Sequence, residues 1–439
     1  MRRHLLILFI FIQTMVSCEQ TKKTPIKVKE NVIKDLVIKN VSVITMTTNL
    51  VLKNQDVVIK DGEFIILSDT DTTTYNNMIV IDGRDKYIMP SLADAHVHFP
   101  STETEMEYIM KLYLINGVTK LRSMRGDWKH INWRNKYNTT SSIYPKLYLS
   151  PPPINKHYDL MPSQIENLVR NSKEKGFDFL KILSVKNQTI FVELDSICKK
   201  YNLAFGGHYP KNIPDAIISK SNFSSFEHLD GLAGTPELIE NRLKFIKEKN
   251  ISLCPTLSWY DVGSGRYSYE ELRNRPGMEF IQKITFNNWI EKTKQYREKI
   301  GLQAYKKEID NELKSLKKKY QIIKKVHDLG INMLLSPDSS SKYMAPGFSL
   351  LGEMELLKNA HLSNYSILKM ATTNFSLFYN ENYGTIETGK KADFILLSNN
   401  PLEDLHALKT IQGVYHNNQF LDIKKLEMMR SKLSSTYKN

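Results

Sequence analysis

The sequence predicts an α/β protein: a (β/α)8 barrel of the TIM-barrel kind, carrying a small composite β-sandwich domain built from both chain ends. Three observations predict it. After Pro90, short apolar runs alternate with longer stretches of helical composition, the rhythm of repeated βα units. Those runs number eight, which favours a barrel over a doubly wound sheet. Before Pro90 and after Glu381 the chain instead carries short strand-like runs split by turn signals, and two such ends flanking a barrel can pair into one unit.

The first element is an export signal. Met1-Arg2-Arg3-His4 precedes an apolar run from Leu5 to Ile12 and then Met15-Val16-Ser17-Cys18. A basic start, a short apolar segment and small residues make residues 1–17 a signal peptide, and the run is too short for a typical spanning helix. Cys18 directly after Val16-Ser17 resembles the acceptor of a bacterial lipoprotein signal, although Met15 stands where leucine is usual. The expectation is an exported chain in the bacterial cell envelope, held at the membrane by a lipid anchor on Cys18, with plain secretion to the periplasm as the alternative. Residues 18–31, rich in Lys and Thr, read as a tether.

Residues 32–89 supply the first half of the β-rich domain through "DLVIKNVSVIT", "QDVVIKDGEFIIL" with its Asp61-Gly62 turn, and "NMIVIDGRDKYIM". The barrel then occupies residues 90–380. Its strands are expected at Ala93–Phe99, Val118–Met124, Lys146–Ser150, Phe177–Leu183, Leu203–Tyr209, Ser224–Leu229, Ile251–Leu257 and Ile331–Ser336. Helical segments such as Met161–Lys175, Ile190–Tyr201 and Pro236–Lys249 lie between several of them. Between the seventh and eighth strands a helical insertion spans about 259–328. A connection this long after a barrel strand projects over the C-terminal face, so it reads as a lid or recognition cap, with surface decoration as the alternative. Residues 381–425 return to β character in "GTIETGKKADFILLSNN" and "LKTIQGVYHNNQFL" and complete the composite domain.

Composition narrows the function. With 41% hydrophobic and 25% charged residues, the 439-residue chain is not an extended disordered protein. Its formal charge of +14 is partly local: Asp261 to Gly330 holds 16 Lys/Arg against 10 Asp/Glu. A solvated lysine-rich helical face explains this, and without zinc-finger, RNP-like or phosphate-loop motifs no nucleic-acid partner is expected. Cys198 and Cys254 sit in apolar surroundings and read as buried free thiols.

The candidate chemistry lies at the ends of the expected strands. In Ala93-Asp94-Ala95-His96-Val97-His98, alternation along a strand aims both imidazoles at one face, which suits a metal such as Zn²⁺. His208 ends the fifth strand, His228 the sixth, and Asp338 lies just beyond the eighth. Each alone has a plain reading, a satisfied core histidine or a helix-capping aspartate. Lys181 in "GFDFLKILS" is stranger, because a short apolar run of this kind is a strand buried on both faces; snorkelling to water is its ordinary explanation.

Together these residues resemble the metal sites of the amidohydrolase superfamily. Ile88-Met89-Pro90 and the tail from Gly384 through Ala392-Asp393 to Asn400-Pro401-Leu402 look like the borders of that family's composite β-domain. "FEHLDG" and "GVTKLRSM" are similar to its imidazolonepropionase-like and Xaa-Pro dipeptidase (prolidase)-like branch, and the likeness runs from about Val32 to Leu421. The resemblance implies two divalent metals per chain, most simply zinc. His96, His98 and Asp338 would hold the more buried one, and His208 and His228 the more exposed one. Lys181, carbamylated by carbon dioxide, would bridge them. It further implies metal-activated hydroxide attacking the carbonyl of an amide or other C–N bond, with Asp338 as the catalytic proton carrier.

Departures from the usual pattern bear on the substrate. Ser91 replaces a common glycine, Ser336-Pro337 precede Asp338 where Gly-Thr is common, Asn374-Phe375-Ser376 stands for a frequent Asn-Pro-Ala, and His208 lies in "GGHYP" rather than His-Ala-His. Arg125 or Tyr209 is a candidate to hold a substrate carboxylate, with a salt bridge or packing as the alternative for each. The expected substrate is a small molecule, preferably dipeptide-like; a cyclic amide, lactone or other ester is the nearest rival. Deamination is less expected, because comparable deaminases usually lack the bridging lysine. A catalytically inactive, envelope-anchored binding protein is the rival of another class, and a homo-oligomer is compatible with either.

Overall fold

The computed structural model describes residues 35–67, 78–157 and 161–437. The signal peptide, the tether through residue 31 and Cys18 lie outside the described residues.

Strands β1 (Leu36–Ile44), β2 (Val51–Lys60), β3 (Glu63–Leu67), β4 (Ile79–Asp82) and β5 (Tyr87–Pro90) open the chain. The barrel strands follow: β6 (Leu92–His98), β7 (Val118–Arg125), β8 (Lys146–Tyr148), β9 (Leu180–Ile182), β10 (Phe205–His208), β11 (Phe223–Glu227) and β12 (Ser252–Cys254). Strands β13 (Phe394–Leu397), β14 (Ile411–His416) and β15 (Gln419–Asp422) close it.

The two chain ends meet in one eight-stranded sheet of order β15-β14-β13-β5-β1-β2-β3, with β4 on β1. Its junction is the antiparallel pairing of β13 with β5, which sets Phe394 opposite Pro90. Phe64 in β3 and Phe394 in β13 are four strands apart in that order, about 19 Å in a flat sheet. Their ring centroids are 6.0 Å apart. The sheet therefore curls until its ends face each other, helped by the register shifts around Val41 that bend β1. Phe64 N–H and Ala392 N–H donate to Lys390 O and Gly62 O across the seam. Thus both layers of the expected sandwich come from one sheet, around a core that includes Ile38, Val57, Phe64, Phe394 and Tyr415.

The barrel strands are all parallel, in a three-stranded and a four-stranded sheet. Backbone bonds join the sheets on both sides. Asp178 N–H and Ile154 N–H donate to Leu149 O and Lys181 O on one side. On the other, the segment expected as the eighth strand fits between β12 and β6: Leu253 N–H donates to Asn332 O, and Ala95 N–H to Leu335 O. This segment forms a single bridge, Leu253 with Met333, rather than a full ladder. Leu334 N–H donates back to Leu253 O, but Leu335 N–H goes to Met370 O and Pro337 has no N–H to give.

The insertion contains the helices Leu257–Gly263, Tyr269–Arg273, Lys283–Ile300 and Leu302–Asp328. Gly301, at φ 78°, reverses the chain between the two long ones. Leu272, Met278 and Phe286 pack with Tyr343 and Ala345, so the insertion rests on the loop that follows Asp338.

A buried polar staple ties the β-domain to the barrel. Lys120 of β7 donates to Asp393, at the start of β13, and to Thr119 Oγ1 (2.8 Å). Ser91 Oγ lies 2.7 Å from Asp393 Oδ1 and His416 Nδ1 3.0 Å from Oδ2. Ser91, a departure from the usual glycine, thus donates to a carboxylate that a glycine could not bond through a side chain. Burial alone would raise the Asp393 pKa, but Lys120 and His416 outweigh it and hold the carboxyl well below the ordinary range. Asp393→Ala is expected to lower stability by about 3 kcal/mol, because it strands a buried ammonium. Urea unfolding checks this, and pairing Lys120→Met with Asp393→Leu is expected to recover most of the loss.

Candidate metal centre

The site is built at the C-terminal ends of the barrel strands. His96 and His98, two apart on β6, face the same side, with ring centroids 5.5 Å apart. His208 ends β10 and His228 follows β11; the His228 ring lies 5.0 Å from both His208 and His96. Asp338 Oδ1 is 3.2 Å from His98 Nε2 and 3.6 Å from His96 Nε2. One ligand atom each from His96, His228 and Asp338 lies within 4.8 Å of the others. His228 and Asp338 both take left-handed backbone conformations, φ 64° and 70°, which costs on the order of 1 kcal/mol each and turns the chain sharply at the rim.

Two of the rings are oriented from behind. His96 Nδ1 sits 2.9 Å from Glu227 Oε2, so it carries the proton and leaves the Nε2 lone pair facing Asp338. His228 Nδ1 sits 2.6 Å from Thr256 Oγ1. Burial first, and then Lys181, hold His96 and His228 well below the ordinary imidazole range and push His98 and His208 down to about 4. All four are neutral near pH 7, the state in which imidazole binds metal. Burial pushes Asp338 up to about 7 despite the pull of Lys181.

Lys181 lies on β9 beside Gly206 of β10 and is only 2% exposed. Its Nζ has no hydrogen-bond partner among the described residues. Burial pushes its pKa down to about 8. Snorkelling is therefore excluded: the amine stays inside, unpartnered, facing the histidines whose basicity it lowers.

Sequence reasoning missed the layer beneath. Arg122 of β7 is fully buried, with Nη1 2.8 Å from Glu227 Oε1 and Nη2 2.7 Å from Ser225 Oγ. Glu227 so links a buried guanidinium to His96, and its place beside His228 was its only signal. Arg122 had a clearer one: like Lys181, it is a charge inside an expected barrel strand. A Cβ on Gly206 would come within 2.8 Å of Arg122 Nη2, and one on Gly207, at φ 152°, within 2.0 Å of Ile182 O. The "GGHYP" departure thus makes room for this layer. The Ser336 departure also has a role, since its hydroxyl donates to His96 O (3.0 Å) and accepts from Asp338 N–H (3.1 Å). His96, Glu227 and Cys254 form a second cluster of ligand atoms, but Glu227 is committed to Arg122 and burial keeps the Cys254 thiol protonated.

The two substrate candidates separate. Arg125 ends β7, exposed, and its charge reaches His98. Tyr209 is corrected to a packing residue: its hydroxyl is 2.5 Å from Asp215 Oδ1, and Arg242 lies over its ring at 4.4 Å.

Four neutral histidines, a raised aspartate and a lysine without a partner among the described residues, on the rim of a parallel barrel, define the class, a (β/α)8-barrel protein with a cluster of candidate metal ligands. The family model of the amidohydrolase family matches residues 193–421, just over half of the chain, and the protein belongs to that family. Adenine deaminase of Clostridium perfringens is 24% identical over 198 residues, 40% of this chain and 33% of that protein. The match thus spans about a third of that relative's length. Among solved structures, bottromycin amidohydrolase superposes with TM-score 0.73 at 17% identity, over 92% of this chain and 91% of that one. A Xaa-Pro dipeptidase with bound methionine gives TM-score 0.65 at 17% identity, over 88% and 100%.

Proposed function

We propose that this protein is a metal-dependent hydrolase that cleaves an amide or similar C–N bond in a small, carboxylate-bearing, dipeptide-like substrate. The observation that carries the reading is Lys181, a buried amine with no protein partner among four neutral imidazoles and a carboxylate. As a cation it is costly there. With its pKa near 8 a useful fraction is free amine at neutral pH, and the nitrogen lone pair can attack carbon dioxide. One N–C bond forms as one C=O π bond opens onto oxygen, and the nitrogen then loses a proton to solvent. Counted from the ammonium two protons leave, and the buried cation is replaced by an anionic carbamate with oxygens to offer to two cations.

His96, His98 and Asp338 would hold the inner cation and His208 and His228 the outer one, with the Lys181 carbamate shared. The mixed nitrogen and oxygen donor set suits zinc. When bound, such a pair supplies Lewis acidity that lowers the pKa of water and polarises a carbonyl. The remaining work belongs to the chain. Glu227 keeps His96 in one tautomer, and Thr256 holds the His228 ring in place. Asp338 takes a proton at its carboxylate from the attacking water and returns it to the departing nitrogen. Burial of the rim keeps these charges strong.

The proposal includes export to the cell envelope and lipidation at Cys18, supported by the sequence of residues 1–18. The test of function is elemental mass spectrometry of the purified chain, with assays for amine release from dipeptides and ammonia release from adenine. About two zinc ions per chain, and dipeptide hydrolysis abolished by chelation and restored by zinc, is the expected result. Ammonia from adenine alone would replace hydrolysis of dipeptides by deamination, a reading the deaminase likeness favours and Lys181 opposes. A folded chain with no bound metal would bring the inactive binding protein forward.

A further inference from the structure

We propose that a cavity inside the insertion is the recognition site for an aromatic, carboxylate-bearing part of the substrate; this rests on the hydrolase reading above. The cavity, of about 220 Å³, lies between the insertion helices and the loop after Asp338. A cavity of about 150 Å³ already accepts a benzene ring. One ring-bearing group therefore fits, and little more.

Its position ties it to the metal centre. Trp259 lines the cavity, and its ring lies 6.5 Å from that of His228. Lys342 and Tyr343, on the opposite wall, follow Asp338 by a few residues in the same loop. A substrate whose scissile bond lay at the metals would extend past Trp259 into this space.

The lining states the chemistry. Tyr267, Tyr296 and Tyr305 join Trp259 as ring walls, which favour an aromatic guest. Lys292 and Lys342 also line it, and neither has a hydrogen-bond or ion-pair partner among the described residues. Arg297 donates through Nη2 to Gly265 O and Tyr267 O, while its Nε, shielded from water, finds no acceptor. The one carboxylate in the lining, Glu308, shares the single Tyr296 hydroxyl proton between its oxygens, at 2.7 and 2.8 Å, and keeps its charge. Two partnerless lysines and an Arg297 that lies over the Tyr305 ring with an orphaned Nε, set against one carboxylate, leave a net positive lining among aromatic walls that asks for an anion attached to a ring. The lysine-rich insertion is thus a recognition element, and the carboxylate that Arg125 or Tyr209 was expected to hold belongs instead to this cavity.

Calorimetric titration of the purified full chain with 3-phenylpropionate, 3-phenylpropionamide and propionate tests this without turnover. The first is expected to bind about tenfold more tightly than either of the others. The exposed pair Lys292→Gln with Lys342→Gln is expected to erase its advantage over the amide at unchanged metal content and melting temperature. The KM gap between glycyl-phenylalanine and glycyl-phenylalaninamide is expected to close in parallel. Equal binding of acid and amide by the wild type, or a preference that survives the double substitution, would overturn the proposal. A preference intact in a protein that hydrolyses neither dipeptide would instead end the hydrolase reading and leave the cavity's selectivity standing.

Discussion

Replacing Lys181 by methionine is expected to reduce bound metal from about two ions per chain to one or fewer and to lower hydrolysis by about 10⁴-fold or more, the loss seen when one member of a unit that acts together is removed. The same substitution is expected to stabilise the metal-free protein by about 1–3 kcal/mol. The wild-type amine is enclosed with no partner, and methionine is an unbranched, flexible side chain that fills the space without a polar atom to desolvate. These opposite signs separate the two roles open to a buried lysine. A structural cation would be neutral or harmful to lose in the metal-free state and would leave metal content alone. A carbamate ligand makes the loss beneficial without metal and ruinous with it. Elemental analysis and urea unfolding of both proteins, each prepared with and without chelator in bicarbonate buffer, read all four quantities. Lower metal-free stability with full metal content in the variant would end the bridging role.

Lys181 also shows what was legible in the sequence. A charge in a run too apolar and too short to be an exposed strand is a visible contradiction, and alternation alone aimed His96 and His98 together. Both signals are local, so periodicity reaches them. The layer under the site is not local. Arg122, Ser225 and Glu227 come from two strands, and their meeting depends on β7 and β11 facing each other across a barrel interior. No spacing in the chain encodes that distance. The eighth strand was found in place but not in form, because the Leu335 N–H is claimed by Met370, far along the chain, while Leu334 N–H alone answers β12 through Leu253 O. For Tyr209, of the two readings offered, the structure favours packing: its hydroxyl is taken by Asp215, six residues on, and its ring is covered by Arg242 from the helix Pro236–Glu248. The departures from the family pattern were readable only as oddities; three of them, Ser91, Gly206 and Ser336, turn out to serve specific buried partners.

Asp338→Asn is expected to lower kcat by about 10²–10⁴-fold while KM stays within a few-fold, the range for loss of a positioned acid–base group. The geometry divides the work of this carboxylate between its two oxygens. Oδ1 is the oxygen nearest His98 and His96 and accepts from the Ser341 hydroxyl, whereas Oδ2 has no hydrogen-bond partner among the described residues. Oδ1 therefore stands among the ligand nitrogens, and Oδ2 is free to receive a proton. Asparagine keeps the shape and an oxygen for the first task but offers no basic atom for the second. Metal content is the discriminating readout. Retained metal with lost turnover assigns Asp338 the proton. Metal and turnover falling in proportion would make Asp338 a ligand alone. The proton would then have to travel through His98, the rim histidine that is partly open to solvent and not locked from behind by a carboxylate or hydroxyl.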